Sequence, residues 1–478
     1  MGAMATDLLN LTGVLLVVLA SSFVASLVPG RAVPEVVFFV FLGAIVGPNC
    51  LGLVHETSSL TLISRLGLGF LFLTAGYELD PAELMGTMGR HATASWAASM
   101  AIALVVVPLL GLDLAETGSL AFAIALTTTA YGTLVPIMRD RELSGTRVGE
   151  VIESYGAIGE LLPVVAMSVL LTPDRSKAAS VVYLLVFVGI CLLVAWQADR
   201  AKRLGTRLYR FLKASSESAS QVTVRTTVLL LVALLLLAEL MELDAVLAAF
   251  AAGFVLRFVT PDNHSLADRL QTVSNGFFVP VFFVCSGLGI SLTAVAQDPV
   301  LLLLYVALLL LVRGGVVVAS LGIFPETRDM PAAEKVSASL YCTMALPLIV
   351  ALTEAATDAG AMSGSMASVL VTAGALTVLV IPVITSLLRN VVAVHPVEAI
   401  QEIHDSPDEA RRIWEQHVRE RRDAVRRFHE EAAREREQGH WMSSSDYLAR
   451  EYDRRRRDAS RRHGRHGHAS DDEPEGDG

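Results

Sequence analysis

Residues 148–171 read VGEVIESYGAIGELLPVVAMSVLL, a run of 24 residues with three acids, no base and apolar side chains on every turn. A helix needs about 20 apolar residues to cross a hydrocarbon layer of about 30 Å, and this stretch has the length. Glu160 stands thirteen residues in, close to the middle of the run. A charge at the bilayer centre costs at least roughly 2.5–3.5 kcal/mol, so a carboxylate kept there is a functional candidate. Glu153 lies seven residues earlier on the same helical face, and Glu150 continues that face. Ser154 and Tyr155 stand next to Glu153 as hydrogen-bonding groups of the same path. Burial favours the protonated form of a carboxyl group and a bound cation favours the ionised form. One such carboxylate therefore holds a proton or a metal cation, but not both.

The rest of the chain repeats this apolar pattern. Of its 478 residues 53% are hydrophobic and 18% charged, and the charge is uneven. Residues 391–478 hold 38 charged side chains in 88, whereas the first 390 hold 48, about 12%. A soluble domain carries about 25%. A soluble enzyme, a nucleic-acid binder and a secreted domain are excluded, and a body solvated by lipid is expected. Apolar spans are read at 8–28, 34–48, 60–80, 91–111, 118–138, 148–171, 178–198, 222–240, 244–258, 273–290, 299–323, 333–355 and 364–388. Bare peptide groups are not tolerated in lipid and no ten-residue alternation suggests a barrel, so the expected class is an all-α polytopic membrane protein of about 13 transmembrane helices.

Loops after odd spans carry the basic residues, among them Arg90, Arg139, Arg141, Arg147, Arg200, Arg269 and Arg328; loops after even spans carry only Arg175 and Lys177. Positive charge marks the cytoplasmic side, which predicts the N-terminus outside and the tail inside. Two domains follow: residues 1–390 in the membrane, and a charged cytoplasmic tail, 391–478, with a helix over about 407–437 and a disordered end. That helix opens with a capping box, Ser406 as cap, Pro407 in its first position and Glu409 three residues on.

Two segments are internally related. Aligning Gly76 in FLFLTAGYELDPAEL with Gly287 in VFFVCSGLGISLTAV also aligns Phe72 with Phe283 and Leu79 with Ile290. The segments lie seven spans apart and so run in opposite directions. This predicts an inverted repeat, about 8–171 against 222–388, joined by the span at 178–198, an architecture of secondary transporters. The fifth span (AIALTTTAYGTLVP) then pairs with the twelfth (SLYCTMALPLIVAL). Thr127, Thr128, Thr129 and Gly132 weaken one centre; Thr343 and Pro347 weaken the other, since proline removes a backbone donor. Crossing discontinuous helices would turn carbonyls, hydroxyls and helix ends toward an ion. Arg313, near the centre of LLLLYVALLLLVRGGVVVAS, stays protonated and is read as a structural charge. Glu78 closes the third span as a further pathway candidate.

These segments resemble the cation:proton antiporter superfamily, in particular its Kef-type and bacterial sodium/proton exchanger branch. PEVVFFVFLGAIVGPNCLGL (34–53), FLFLTAGYELDPAEL, ALTTTA (125–130) and NGFFVPVFFVCSGLGISL (275–292) are similar to its motifs and occur in its order. The resemblance puts AIGELLPVV (157–165) on the segment that carries a paired polar–Asp motif, with Glu160 as the essential carboxylate and Gly159 in place of the first polar residue. Arg313 falls where the superfamily has a membrane lysine or arginine. The resemblance implies a homodimer with a dimerisation domain and a core domain, an elevator mechanism and, with arginine at that place, electroneutral exchange.

The expectation is therefore a secondary active transporter, not an enzyme, exchanging Na⁺ or K⁺ for H⁺ in a bacterial inner membrane and serving pH homeostasis. Its cation and proton site is Glu160 with Thr127, Thr128 and Thr129. Its partners are the cation, the proton, the bilayer and a second copy, with no nucleic acid, no cofactor and no metal beyond the transported ion. The alternatives are a sodium-coupled organic-solute symporter on a similar scaffold and a gated cation channel. The lack of a second ion-site carboxylate and of a polar substrate pocket weighs against the symporter, and the broken, non-symmetric site weighs against the channel.

Overall fold

The computed structural model describes residues 2–388 apart from 28–32, 80–83, 115, 142, 144–145, 171–176, 204–221, 242 and 261–263, together with Arg434. The tail helix expected at 407–437 lies outside the described residues. Within them the chain is helical and has no strand. The elements are α1 (Ala3–Leu27), α2 (Glu35–Val46), α3 (Ser58–Glu78), α4 (Thr87–Leu109), α5 (Thr117–Ala125), α6 (Tyr131–Asp140), α7 (Arg147–Leu170), α8 (Lys177–Arg203), α9 (Val222–Leu240) and α10 (Ala245–Val259). Then come α11 (His264–Val273, a π-turn Ser274–Phe278, Val279–Leu288), α12 (Pro299–Leu309, a π-turn Leu310–Gly315, Val316–Ile323), α13 (Ala332–Tyr341), α14 (Leu346–Asp358) and α15 (Gly364–Leu388). Thr57 and Asp244 cap α3 and α10 by accepting the N–H of Leu60 and Val246. Gly360, at φ +67°, turns the chain out of α14 in a conformation that L side chains resist.

Among the described residues eight helices are long and apolar enough to cross a membrane, with α13 and α14 taken as one, and three shorter apolar helices accompany them. Five of the thirteen expected spans are not among the eight: 34–48 and 244–258 form helices of 12 and 15 residues, 178–198 contributes the shorter apolar stretch Ala179–Leu193 of α8, 118–138 is divided between α5 and α6, and 222–240 forms the 19-residue α9. The solvation pattern is that of a protein in lipid. Leu8, Leu16, Leu19 and Leu27 point outward from α1, while Glu160 and Arg313 are buried.

The helices pack in two bundles. In the first, α3 lies on α10 and α11, α2 on α1 and α11, and α9 on α10. In the second, α4, α5, α6 and α13 surround α7, and α15 packs on α12 and α14. Backbones in the first bundle touch at glycine. A Cβ at Gly76 would run into the Phe250 carbonyl and one at Gly253 into that of Leu73; a Cβ at Gly43 would meet the carbonyl of Val284 and one at Gly287 that of Val40. Thus α3 meets α10, and α11 meets α2, each through a reciprocal glycine pair, as close membrane packing favours. Gly253→Val and Gly287→Val should each cost about 1–3 kcal/mol by overpacking. A fall in the detergent melting temperature measures it, against Gly189→Ala on α8, which meets nothing within 4 Å and should leave the midpoint unchanged.

Candidate functional site

The centre of the second bundle is built from interrupted backbone. Pro163 has no N–H, so the carbonyl four residues earlier, that of Gly159, lacks its helical donor. Thr129, in the gap between α5 and α6, supplies one: its N–H donates to the Gly159 carbonyl at 2.8 Å. The next residue, Ala130, donates to the carbonyl of Met344, in the gap between α13 and α14, at 2.8 Å. Thr129 Oγ1 also donates across to the Cys342 carbonyl at 2.5 Å. The two gaps are thereby joined, and both are tied to α7. Pro347, at the start of α14, deprives the Thr343 carbonyl of a helical donor in the same way.

Glu160 follows Gly159 and is 2% exposed. Its Oε2 accepts the N–H of Gly132 at 3.2 Å, and the backbone N–H of Tyr131 also bonds to the carboxylate. Tyr131 and Gly132 are the first residues of α6, whose N-terminal donors have no partner within their own helix. The carboxylate thus faces the positive end of a half-helix. Arg313, on the π-turn of α12 and 0% exposed, donates from Nε to Thr129 Oγ1 at 3.1 Å and from Nη2 to the Tyr155 carbonyl at 2.7 Å. A side chain at position 159 would collide with Arg313 Nη2 and with Thr129. The guanidinium fills the place a first polar residue would take, which accounts for glycine there.

A cavity of about 400 Å³ reaches the start of α6 from one end of the molecule, without Glu160, Thr129 or Arg313 in its lining. Gly132 and Thr133 line its inner part; Glu35 on α2, Arg141 beyond α6 and Asn275 on the π-turn of α11 line it as well. A second cavity, about 280 Å³, opens at the opposite end among Ser64, Arg65, Glu354 and Asp358, and includes none of residues 127–132 or Glu160 in its lining.

The expected residues are thus partly brought together. Glu160, Thr129, Gly132 and Arg313 meet at the crossing. Thr127 and Thr128 lie beside it, but their hydroxyls donate to the carbonyls of Ile124 and Ala125 in their own helix, both at 2.8 Å. Thr343 does the same to Leu340 at 2.7 Å. Glu150 and Glu153 are half-buried along α7 and Ser154 is buried. Tyr155 is not a neighbour of Glu153 in a common path. Two residues along a helix turn it by about 200°, and it faces Arg313 and Ser320, whose Oγ lies 3.2 Å from its hydroxyl. Glu78, at the end of α3, accepts from Gln271 Nε2 at 3.1 Å. Pro163 and the carbonyls of Cys342 and Met344 were not anticipated. The proline four residues after Gly159 was the signal, since its missing donor exposes that carbonyl.

Residues 13–390 match the family described as sodium/hydrogen exchanger, transmembrane. The chain belongs to this family. It is a multi-pass membrane protein of the cation:proton antiporter superfamily. Similar relatives include a putative Na(+)/H(+) antiporter, YjbQ, of Bacillus subtilis, 26% identical over 62% of this chain and 50% of its own. The Na(+)/H(+)-K(+) antiporter GerN of Bacillus cereus is 24% identical over 59% and 72%, and an Na(+)/H(+) antiporter of Enterococcus hirae is 24% identical over 65% and 82%. The match thus spans half of the first relative's length and more of the other two. Among solved structures, the sodium proton antiporter MjNhaP1 of Methanocaldococcus jannaschii superposes with a TM-score of 0.57 at 17% identity, over 80% of this chain and 96% of that one. The likeness is one of fold.

The family's crossing gives a stability test. Thr129→Val removes the hydroxyl shared by Arg313 and Cys342 and should cost about 1–3 kcal/mol, the range for a buried group left unsatisfied. Thr127→Val removes only a bond within one helix and should cost less. Melting of the two variants in detergent ranks them.

Proposed function

We propose that this chain exchanges a monovalent cation, Na⁺ or K⁺, for H⁺ at Glu160. The observation that carries the reading is one buried carboxylate held by the N-terminal N–H groups of a half-helix, whose Gly132 also lines a cavity. Backbone N–H donors favour a carboxylate's charge and burial favours its proton, so the two influences oppose each other and a cation competes with H⁺. Arg313 keeps its proton throughout. The site charge therefore changes only with Glu160, and one cation for one proton is electroneutral.

Transport in this reading is an elevator step. The cavity lies between the bundles, lined by α1, α2 and α11 on one side and by α6 and α15 on the other. The second bundle, as core domain, carries Glu160 past the first, the dimerisation domain of a homodimer. The reciprocal glycine pairs of α3 with α10 and of α11 with α2 support the inverted repeat. The bacterial relatives and the basic loops support an inner membrane with the N-terminus outside and the tail in the cytoplasm, where exchange serves pH homeostasis.

Reconstitution tests the reading. In vesicles with an imposed pH gradient, added Na⁺ or K⁺ should collapse the gradient at the same rate whether or not valinomycin and equal K⁺ clamp the membrane potential. Glu160→Gln, close in size but unable to ionise, should abolish the collapse; undiminished exchange by that variant overturns the site.

A further inference from the structure

Arg313 poses a question that the exchange site does not answer. It is fully buried, and among the described residues neither ion pair, Arg65–Asp358 nor His91–Glu326, includes it. Carrying a charge into a protein interior costs several kcal/mol unless partners compensate. The Thr129 hydroxyl and the Tyr155 carbonyl satisfy Nε and Nη2, while Nη1 has no hydrogen-bond partner among the described residues.

Other buried donors share that condition, and three of them lie on helices packed against the one that carries Arg313. The Oγ atoms of Ser95, Ser99 and Ser337 have no hydrogen-bond partner among the described residues, although these serines are at most 3% exposed. Serines inside helices ordinarily bond to a carbonyl three or four residues back. Ser168, Ser320 and Ser339 do so here, to Val164, Val317 and Val336. Of the five that do not, Ser180 on α8 and Ser274 on the π-turn of α11 lie elsewhere, while Ser95, Ser99 and Ser337 belong to α4 and α13, which pack on α7 and on the half of α12 that carries Arg313 and Ser320. His91, Ser95 and Ser99 climb one face of α4 at four-residue steps, about 6 Å each. The lower end carries His91, stacked on Phe324 with ring centroids 3.8 Å apart and 3.4 Å from Glu326, whose backbone carbonyl accepts from Arg147. Tyr155, Cys342 and Arg313 are the titratable or charged groups at the upper end.

We propose that the space between α4, α7, α12 and α13 binds a file of ordered water molecules, running from His91 and Glu326 to Arg313. Buried water typically makes about three hydrogen bonds to polar groups that lack other partners, and these hydroxyls and Nη1 are such a set. The file, in place of a carboxylate, solvates the guanidinium. Arg313 therefore makes no claim on Glu160, and its fixed charge repels cations from the file. The substrate cation is left with the separate cavity at Gly132.

Hydroxyl-radical footprinting by X-ray radiolysis tests this on the full chain in detergent, because radicals form at bound water. Tyr155 should be oxidised several-fold faster than Phe72 and Phe282, which are equally buried but lie in the first bundle. Ser99→Val with Ser337→Val should bring Tyr155 down to the level of those two phenylalanines, without raising theirs. Tyr155 oxidised no faster than Phe72 and Phe282 in the unmodified chain overturns the proposal, whether or not the double variant folds. An unchanged Tyr155 rate in a folded double variant overturns it too. Footprinting reads water at Tyr155 and transport reads Glu160, so this inference and the exchange reading fail separately.

Discussion

A carbonyl without its helical donor organises the middle of this protein. Pro163 frees the Gly159 oxygen, and the N–H of Thr129 takes it. That bond pins the gap between α5 and α6 against α7, and the neighbouring residue pins the gap between α13 and α14 through Met344. With both gaps held, the first N–H groups of α6 are aimed at Glu160 and the threonine hydroxyl is placed to receive Arg313. Each later feature depends on an earlier one. In hydrocarbon an unpaired peptide group costs several kcal/mol, so a broken helix survives only where other peptide groups complete it.

Two ionisable groups of opposite sign are buried here, yet the carboxyl group of Glu160 rests on backbone donors and the guanidinium of Arg313 on a hydroxyl and a carbonyl. A direct pair would neutralise both and remove the reason for either to exchange a partner. Holding each on neutral groups leaves Glu160 without a fixed charged partner, as the proposed exchange at this residue requires. Glycine at position 159 belongs to the same arrangement, because the guanidinium lies where a longer side chain would stand.

Much of this was legible in the sequence. The apolar runs marked the helices, and the depth of Glu160 and Arg313 within their runs marked the buried charges. The weakened centres at Thr127–Gly132 and Thr343–Pro347 marked both interruptions. Less legible was what a single helix cannot encode. Thr127, Thr128 and Thr129 look equivalent in a row, but two of them close their own helix and one bridges three others; only the packing partner distinguishes them. Tyr155 was assigned to Glu153 by nearness in sequence, which helical rotation contradicts. Helix number was blurred by short and broken segments, since hydropathy measures length and two half-helices share one crossing.

The donors around Glu160 described above are peptide N–H groups, not side chains. Peptide groups are the same in every residue but proline, so exchanging side chains along this wall leaves its chemistry as it was. What changes it is where a helix begins. One residue added or removed at the start of α6 would rotate its terminal donors by about 100° and shift them by about 1.5 Å along the axis. If exchange runs at Glu160 as proposed, variation in ion preference should be sought in the length of the interruption, as insertions and deletions, rather than in substitutions.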